Sequence, residues 1–117
     1  MIKPYEEGLR TVFLVRSEHL NHQGHLFGGE MMSQIDSTAY CVLREEYPDK
    51  SFVTRAAEIG FERPASLGDV VSFEARIHNV GNTSIQVEVA GSANGTPFCS
   101  ALMTYVNVGT DGKKAPI

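Results

Sequence analysis

The sequence has no tryptophan, only two cysteines, and no apolar run near the ~20 residues a membrane-spanning helix requires. Cys41 and Cys99 stand apart, with no CxxC pair and no disulfide framework, so free thiols in a cytoplasmic protein are the simpler reading. Both lie in apolar surroundings, Ala39-Tyr40-Cys41-Val42 and Phe98-Cys99-Ser100-Ala101, and are expected to be small core hydrophobes rather than nucleophiles. Positive charge is scarce. Ten Lys and Arg against 14 Asp and Glu leave a net charge of −4, which argues against a nucleic-acid or membrane partner. A polyanionic ligand would need a local cationic pocket. The opening stretch, Met1 to Arg10, has no apolar segment of signal-peptide type. The GxSxG elbow, the P-loop and GxGxxG are absent, which removes the commonest hydrolase and nucleotide-binding signatures.

What remains is a globular composition, 42% hydrophobic and 21% charged, in 117 residues. That length allows one domain, 1–117, with one real core. Leu9 to Val15 is rich in β-formers and reads as a strand. Arg16 to Phe27 is polar and reads as a loop. Gly28-Gly29 then opens the one convincing helix, with apolar residues at Met32, Ile35, Ala39, Val42 and Leu43, widened by Met31 and Tyr40. Pro48-Asp49 stops it. Four strands follow: Ser51 to Glu62, Val70 to Val80, Thr83 to Gly91 and Phe98 to Val108. Gly68-Asp69, Gly81-Asn82 and Asn94-Gly95 mark the turns between them. The tail, Gly109 to Ile117, reads as loop. The order β-α-β-β-β-β predicts an α+β fold, one long helix wrapped by a curved, mostly antiparallel sheet of about five strands. Such a sheet leaves an edge strand and a helix flank uncovered, which self-association would cover.

Three features carry possible chemistry. Asp36 sits in mid-helix, where Asp is disfavoured, beside Met32, Ala39 and Tyr40. A carboxylate there needs partners. It is either a boundary residue bonded to a Ser or Thr, for example Ser33 or Ser37, or a functional acid. Gly28-Gly29 leaves the first helical amides uncovered, a setting that suits developing negative charge, although glycines also serve turns and close packing. Gly28 and Asp36 are about 12 Å apart along a helix axis, too far to touch one atom. That spacing suits a substrate lying along the helix, or a base from one copy meeting a donor from another. His19, His22 and His25 recur every three residues, but no Cys or carboxylate signature makes them a metal site, and none is expected. Asn21 beside them is a candidate polar contact.

The run Asn21-His22-Gln23-Gly24-His25-Leu26-Phe27-Gly28-Gly29-Glu30-Met31-Met32-Ser33-Gln34-Ile35-Asp36 resembles the signature of hotdog-fold acyl-CoA thioesterases. Within these it is most similar to the bacterial YciA-like enzymes and their two-domain animal acyl-CoA hydrolase relatives. Phe61-Glu62-Arg63-Pro64-Ala65-Ser66-Leu67-Gly68-Asp69-Val70-Val71, Val80-Gly81-Asn82-Thr83-Ser84-Ile85 and the ending Asp111 to Ile117 fit the same pattern, so the likeness runs from about His19 to the end. It implies the hotdog fold, a dimer often assembled into a trimer of dimers, and hydrolysis of acyl-CoA to a free acid and CoA with no cofactor. It places the catalytic carboxylate on Asp36, as general base or nucleophile. The partner Asn falls on Asn21 of the other protomer, and the carbonyl-polarising amide on Gly28 with Gly29 beside it.

The acyl chain would lie along Met31, Met32 and Ile35. Arg63, Arg55, Lys113 and Lys114 are the candidate cations for CoA, of which Arg63 matches a basic position of the family, and Ser84 is a candidate substrate contact. The sequence departs from the family pattern at Glu30, at Asn82, and in lacking an Asp shortly before Asn21, positions that bear on chain-length preference and CoA affinity. Two other readings are a hotdog dehydratase and a non-catalytic acyl-CoA-binding module. Phe27 stands where many hotdog proteins carry His, against the first, and the presence of both Asn21 and Asp36 argues against the second.

Overall fold

The computed structural model describes residues 8–117; residues 1–7, which hold most of the stretch read above for a signal peptide, lie outside the described residues. The order is β1 (Leu9–Leu14), a 3-10 turn (Ser17–His19), α1 (Gly28–Glu46), β2 (Phe52–Phe61), β3 (Val70–Val80), β4 (Ser84–Ala93) and β5 (Thr96–Asn107). The five strands form one sheet in the order β1-β3-β4-β5-β2. All four pairings are antiparallel. The expected α+β architecture is therefore present, with α1 lying on β3, β1, β4 and β5.

Strand limits moved where turn chemistry moved them. Asn94 and Gly95 both have positive φ, 52° and 81°, the pattern of a tight type I′ turn. That two-residue turn lets the β4–β5 ladder run to Ala93↔Thr96, so β4 extends past Gly91 and β5 begins before Phe98. The tail is loop, as expected, but it is strapped down. The buried Asn107 donates from Nδ2 to the carbonyls of Ala115 and Pro116 at 3.0 and 3.1 Å. The amide of Ile117 donates to the Asn82 carbonyl at 2.9 Å.

The helix buries Met31, Ile35, Thr38, Ala39, Val42 and Leu43 against Val71, Phe73, Ala75, Ile85, Val87 and Phe98 of the sheet. Thr38 is satisfied by the Gln34 carbonyl at 2.7 Å and by Thr11 Oγ1 at 2.8 Å. Two expectations are corrected. Met31 occupies the buried stripe, whereas Met32 is 51% exposed, because the stripe is phased on Met31, Ile35 and Thr38. Cys41 is exposed on the opposite flank of α1, not a core residue; Cys99 is buried, as expected, and burial with the nearby Glu62 charge pushes its thiol up to about 11.

β2 shapes the site. Its pairing with β5 slips by one residue between Thr54 and Ala56. The extra residue at Arg55 re-phases the alternation, so Thr54, Ala57 and Ile59 all face the helix side. β2 is also an edge strand, and Val53 and Phe61 are 54% and 49% exposed.

Gly91 marks the tightest point in the core. A Cβ there would lie 2.4 Å from the Cys99 Sγ and 3.0 Å from the rings of Phe73 and Phe98. Overpacking of this kind costs about 1–3 kcal/mol. Gly91→Ala should lower the urea midpoint of unfolding by a corresponding amount with an unchanged m-value. A midpoint equal to that of the parent protein would show that the core around Cys99 yields freely.

Candidate active site

Asp36 is half-buried at the boundary between α1 and the sheet. Its partners are neither Ser33 nor Ser37. Tyr105 of β5 donates its hydroxyl to Asp36 Oδ1 at 2.8 Å, and Thr54 of β2 donates to the same oxygen at 3.4 Å. Thr54 and Tyr105 are cross-strand neighbours, so one rung of the sheet supplies both donors. Oδ2 accepts no hydrogen bond among the described residues. Burial, reinforced by the hydrogen bond to Asp36, raises the Tyr105 hydroxyl well above the usual phenol range, so it stays a donor at all physiological pH values.

The Asp36 carboxylate opens into a hollow of about 400 Å³ lined by Gly29, Met32, Ser33, Thr54, Ala57, Ile59 and Met103. Its walls are mostly apolar, with the acid as the charged group, a setting suited to an apolar ligand bearing one reactive polar bond. Met32 and Gly29 fall here.

A second hollow, of about 410 Å³, contains Asn21, His25, Gly28, Met31, Phe61, Glu62 and Arg63. Asn21 is fixed locally. Its Oδ1 accepts the amides of Gln23 and His25 at 2.9 and 3.1 Å, an Asx turn that closes the loop. With Oδ1 taken, the Nδ2 amide is oriented and has no acceptor among the described residues. The loop is fastened to the chain beyond β2 by Leu26 donating to the Ala65 carbonyl at 2.7 Å, and Phe27 donates back to the His19 carbonyl at 2.8 Å. These bonds set where α1 begins.

No side chain caps the helix, so its first amides, at Gly28, Gly29 and Glu30, are free of intrahelical partners. The two glycines differ. A Cβ at Gly29 would meet the Phe27 ring at 2.5 Å, whereas one at Gly28 would meet nothing within 4 Å. A side chain at Gly29 would displace the exposed Phe27 ring, whereas Gly28 leaves its backbone accessible from the second hollow.

Within one chain the predicted residues thus fall into two groups, Asp36 with Gly29 and Met32, and Asn21 with Gly28, Met31 and Arg63. Arg55, exposed on the β2 bulge, lines neither hollow. Ser84 pairs with Val106 at the far end of the sheet, whereas Arg63 follows Phe61, which pairs with Cys99. Those points on β5 are about 23 Å apart at the usual strand rise. The exposed Lys113 and Lys114 lie in the tail strapped to Asn82, hence at the Ser84 end.

The histidines do not converge. His19 Nδ1 accepts the Arg16 amide at 3.0 Å and its ring packs edge-on against Phe13, while His25 lines the second hollow. Among the described residues no group of three His, Cys, Asp or Glu has metal-ligand spacing. A larger hollow, about 490 Å³, lies over the outward-facing side chains Glu58, His78, Glu88 and Ser100. There His78 Nδ1 lies 3.6 Å from Glu88 Oε2, and none of the lining residues belongs to the start of α1.

Tyr105 and Thr54 are the partners of Asp36 that sequence reasoning missed. Tyr105 lies 69 positions from Asp36, and a β-forming Tyr in a predicted strand carries no local mark of what it meets.

Comparison with known proteins agrees with this architecture. The profile of the Thioesterase superfamily matches residues 23–99, which include Gly28, Gly29, Asp36, Thr54 and Arg63. The acyl-CoA thioester hydrolase YciA of Salmonella typhimurium is 33% identical over 118 residues, covering 93% of this chain and 87% of that protein. The crystal structure of a hexameric hotdog-fold thioesterase of Campylobacter jejuni is 38% identical and superposes with a TM-score of 0.79 over 92% of this chain and 87% of that one. A thioesterase from Thermus thermophilus, crystallised with coenzyme A and zinc, is 26% identical with a TM-score of 0.80, over 92% of this chain and 89% of that one. The chain belongs to the Thioesterase superfamily and has its hotdog fold.

Proposed function

We propose that the chain is an acyl-CoA thioester hydrolase whose active site is assembled from two copies. The observation that carries this reading is Asp36, a mid-helix carboxylate held through one oxygen at the wall of an apolar hollow with the other oxygen free. The names of the relatives, acyl-CoA thioester hydrolase and thioesterase with bound coenzyme A, support the substrate class.

The edge strand explains why two copies are needed. Asp36 lies beside Thr54 near the start of β2, and Asn21 lies beside Phe61 to Arg63 at its end. Antiparallel pairing of β2 with its own copy about a two-fold axis sets the start of one strand against the end of the other. Asp36 of one copy is thereby brought towards Asn21, Gly28 and Arg63 of the other. A register that places Arg55 of one copy opposite Glu58 of the other also pairs their charges. The exposed Val53 and Phe61 are covered in the same contact. Further assembly into a trimer of dimers follows the hexameric relative.

In this site the first amides of α1, chiefly that of Gly28, receive the thioester carbonyl oxygen. The Asn21 Nδ2 amide positions the carbonyl or the attacking water. Asp36 Oδ2 takes a proton from that water as its oxygen bonds to the carbonyl carbon, and the tetrahedral intermediate expels the CoA thiolate, to which the proton is returned. The thioester is activated enough that the step needs no cofactor. The acyl chain follows Met32, Ile59 and Met103, and Arg63 with the tail lysines gathers near the CoA phosphates. Among the described residues no helix is long and apolar enough to cross a membrane, and two unpaired cysteines suit a reducing compartment, the cytoplasm.

Asp36→Asn keeps the shape of the side chain and removes the proton acceptor. It should lower kcat by about 10²–10⁴-fold when release of free CoA is followed with a thiol reagent, with the thermal midpoint retained. Turnover near that of the parent would reduce Asp36 to a structural role. Sedimentation equilibrium should give an even multiple of 12.8 kDa. An active species of 12.8 kDa would refute the shared site.

Co-expression tests the sharing directly. Asn21→Ala and Asp36→Asn each spoil every site of a homodimer, but the mixed dimer carries one site with both residues intact. Activity should rise above either parent variant, toward about a quarter of wild type at equal mixing. A mixture containing mixed dimers but no more active than its parents would mean that each site is built within one chain, or that Asn21 is not catalytic.

A further inference from the structure

We infer that Tyr105 is the positioning residue of this site: its buried hydroxyl pins Oδ1 of Asp36 and thereby turns Oδ2 toward the substrate hollow. The inference rests on the proposed role of Asp36 and goes beyond it, because it assigns the orientation of the base to a residue of the opposite layer of the fold.

The geometry is specific. Tyr105 is 0% exposed, and its hydroxyl reaches Oδ1 at 2.8 Å, whereas Thr54 reaches the same oxygen only at 3.4 Å. The first is a full-strength hydrogen bond to a charged acceptor and the second lies at the limit of one. An Asp side chain turns about two torsions, and one short bond from a fixed donor removes most of that freedom. The donor is itself fixed. The Tyr105 ring meets Tyr40 edge-on at 5.9 Å and 74°, and the Tyr40 hydroxyl donates to the Phe52 carbonyl at 3.1 Å and accepts the Phe52 amide at 3.4 Å. Two tyrosines thus tie α1, β5 and the start of β2 together around the carboxylate.

The chemistry suits a base. A Lys or Arg in this place would pair with the carboxylate and hold it as an ion pair, weakening its grip on a proton. A phenol donates one hydrogen bond and adds no charge. Because both donors use Oδ1, the other oxygen keeps its lone pairs for water. Misplacing a reacting group by about 1 Å can cost on the order of 10²-fold in rate, which is the size of effect available to a positioning residue.

Tyr105→Phe preserves the packed ring and deletes only the hydroxyl. The expected result with acyl-CoA is a kcat about tenfold to a hundredfold lower and a KM within about twofold of wild type. The decisive comparison is the same substitution made in Asp36→Asn. If Tyr105 acts through the carboxylate, it should then cost nothing further, because the base it orients is gone. An equal loss in both backgrounds, or an unchanged kcat in the single variant, overturns the inference. Full activity of Asp36→Asn instead overturns the proposed function, so the two failures are distinct. A folding defect in the Phe variant leaves a check that needs only Tyr105 itself. Its buried hydroxyl proton, held by a charged acceptor, should give a slowly exchanging downfield NMR resonance that moves upfield in Asp36→Asn. A resonance insensitive to that change would also overturn the inference.

Discussion

The site depends on a single carboxylate seated at the seam between helix and sheet. Mid-helix Asp is unfavourable by propensity, and a half-buried charge needs compensation. The fold supplies it from across the layer rather than along the helix. Tyr105 and Thr54 sit on one rung of the β5–β2 ladder and reach the same oxygen. The helix can therefore carry its charge only where that rung faces it. Removing the acid leaves a buried phenol without its acceptor, and removing the phenol leaves the acid only the longer bond from Thr54.

That requirement explains the bulge at Arg55. In an uninterrupted strand the side sharing Thr54 would next present Ala56 and Glu58. A second charge would then stand in the apolar hollow beside Asp36, with like-charge repulsion added to desolvation. One extra residue turns Glu58 outward and brings Ala57 and Ile59 in instead. The strand keeps its hydrogen-bonded ladder to β5, and the hollow keeps one charge. The same bulged strand is the open edge of the sheet, so the element that shapes the Asp36 hollow is also the one through which the proposed second copy would pair.

The sequence made the scaffold legible and left the site half-legible, for physical reasons. Helix and strands were readable because periodicity is local: the stripe from Ile35 to Leu43 and the alternation from Val71 to Ile77 each announce a face. Asn94-Gly95 named its turn because few residues tolerate positive φ. Asp36 and Gly28-Gly29 stood out because they break the rules of the helix that contains them. Tyr105 and Thr54 break none, and their meaning arises only when residues 69 and 18 positions away arrive beside Asp36. A Thr does bond the acid, as one alternative expected, but it is the distant Thr54 and not Ser33 or Ser37, since local partners are what a sequence displays. Cys41 was misread because apolar neighbours in sequence are not neighbours on a helix surface: Val42 is buried and Cys41 one step away is exposed.

Charge completes the case for a shared site. A chain of net charge −4 must bind a polyanionic thioester through local cations. In one copy these are dispersed, Arg63 at the Asn21 end of the sheet and Lys113 and Lys114 at the opposite, Ser84 end. Among the described residues, neither hollow beside α1 collects them. The two-fold pairing proposed to bring Asp36 to Asn21 would also reverse these ends, setting Arg63 of one copy towards the lysine-bearing end of the other. In the proposed dimer, one symmetry operation would assemble base, amide donors and cations together. A single chain keeps the groups that attract the anionic substrate apart from one another, and keeps its base apart from the Asn21 amide.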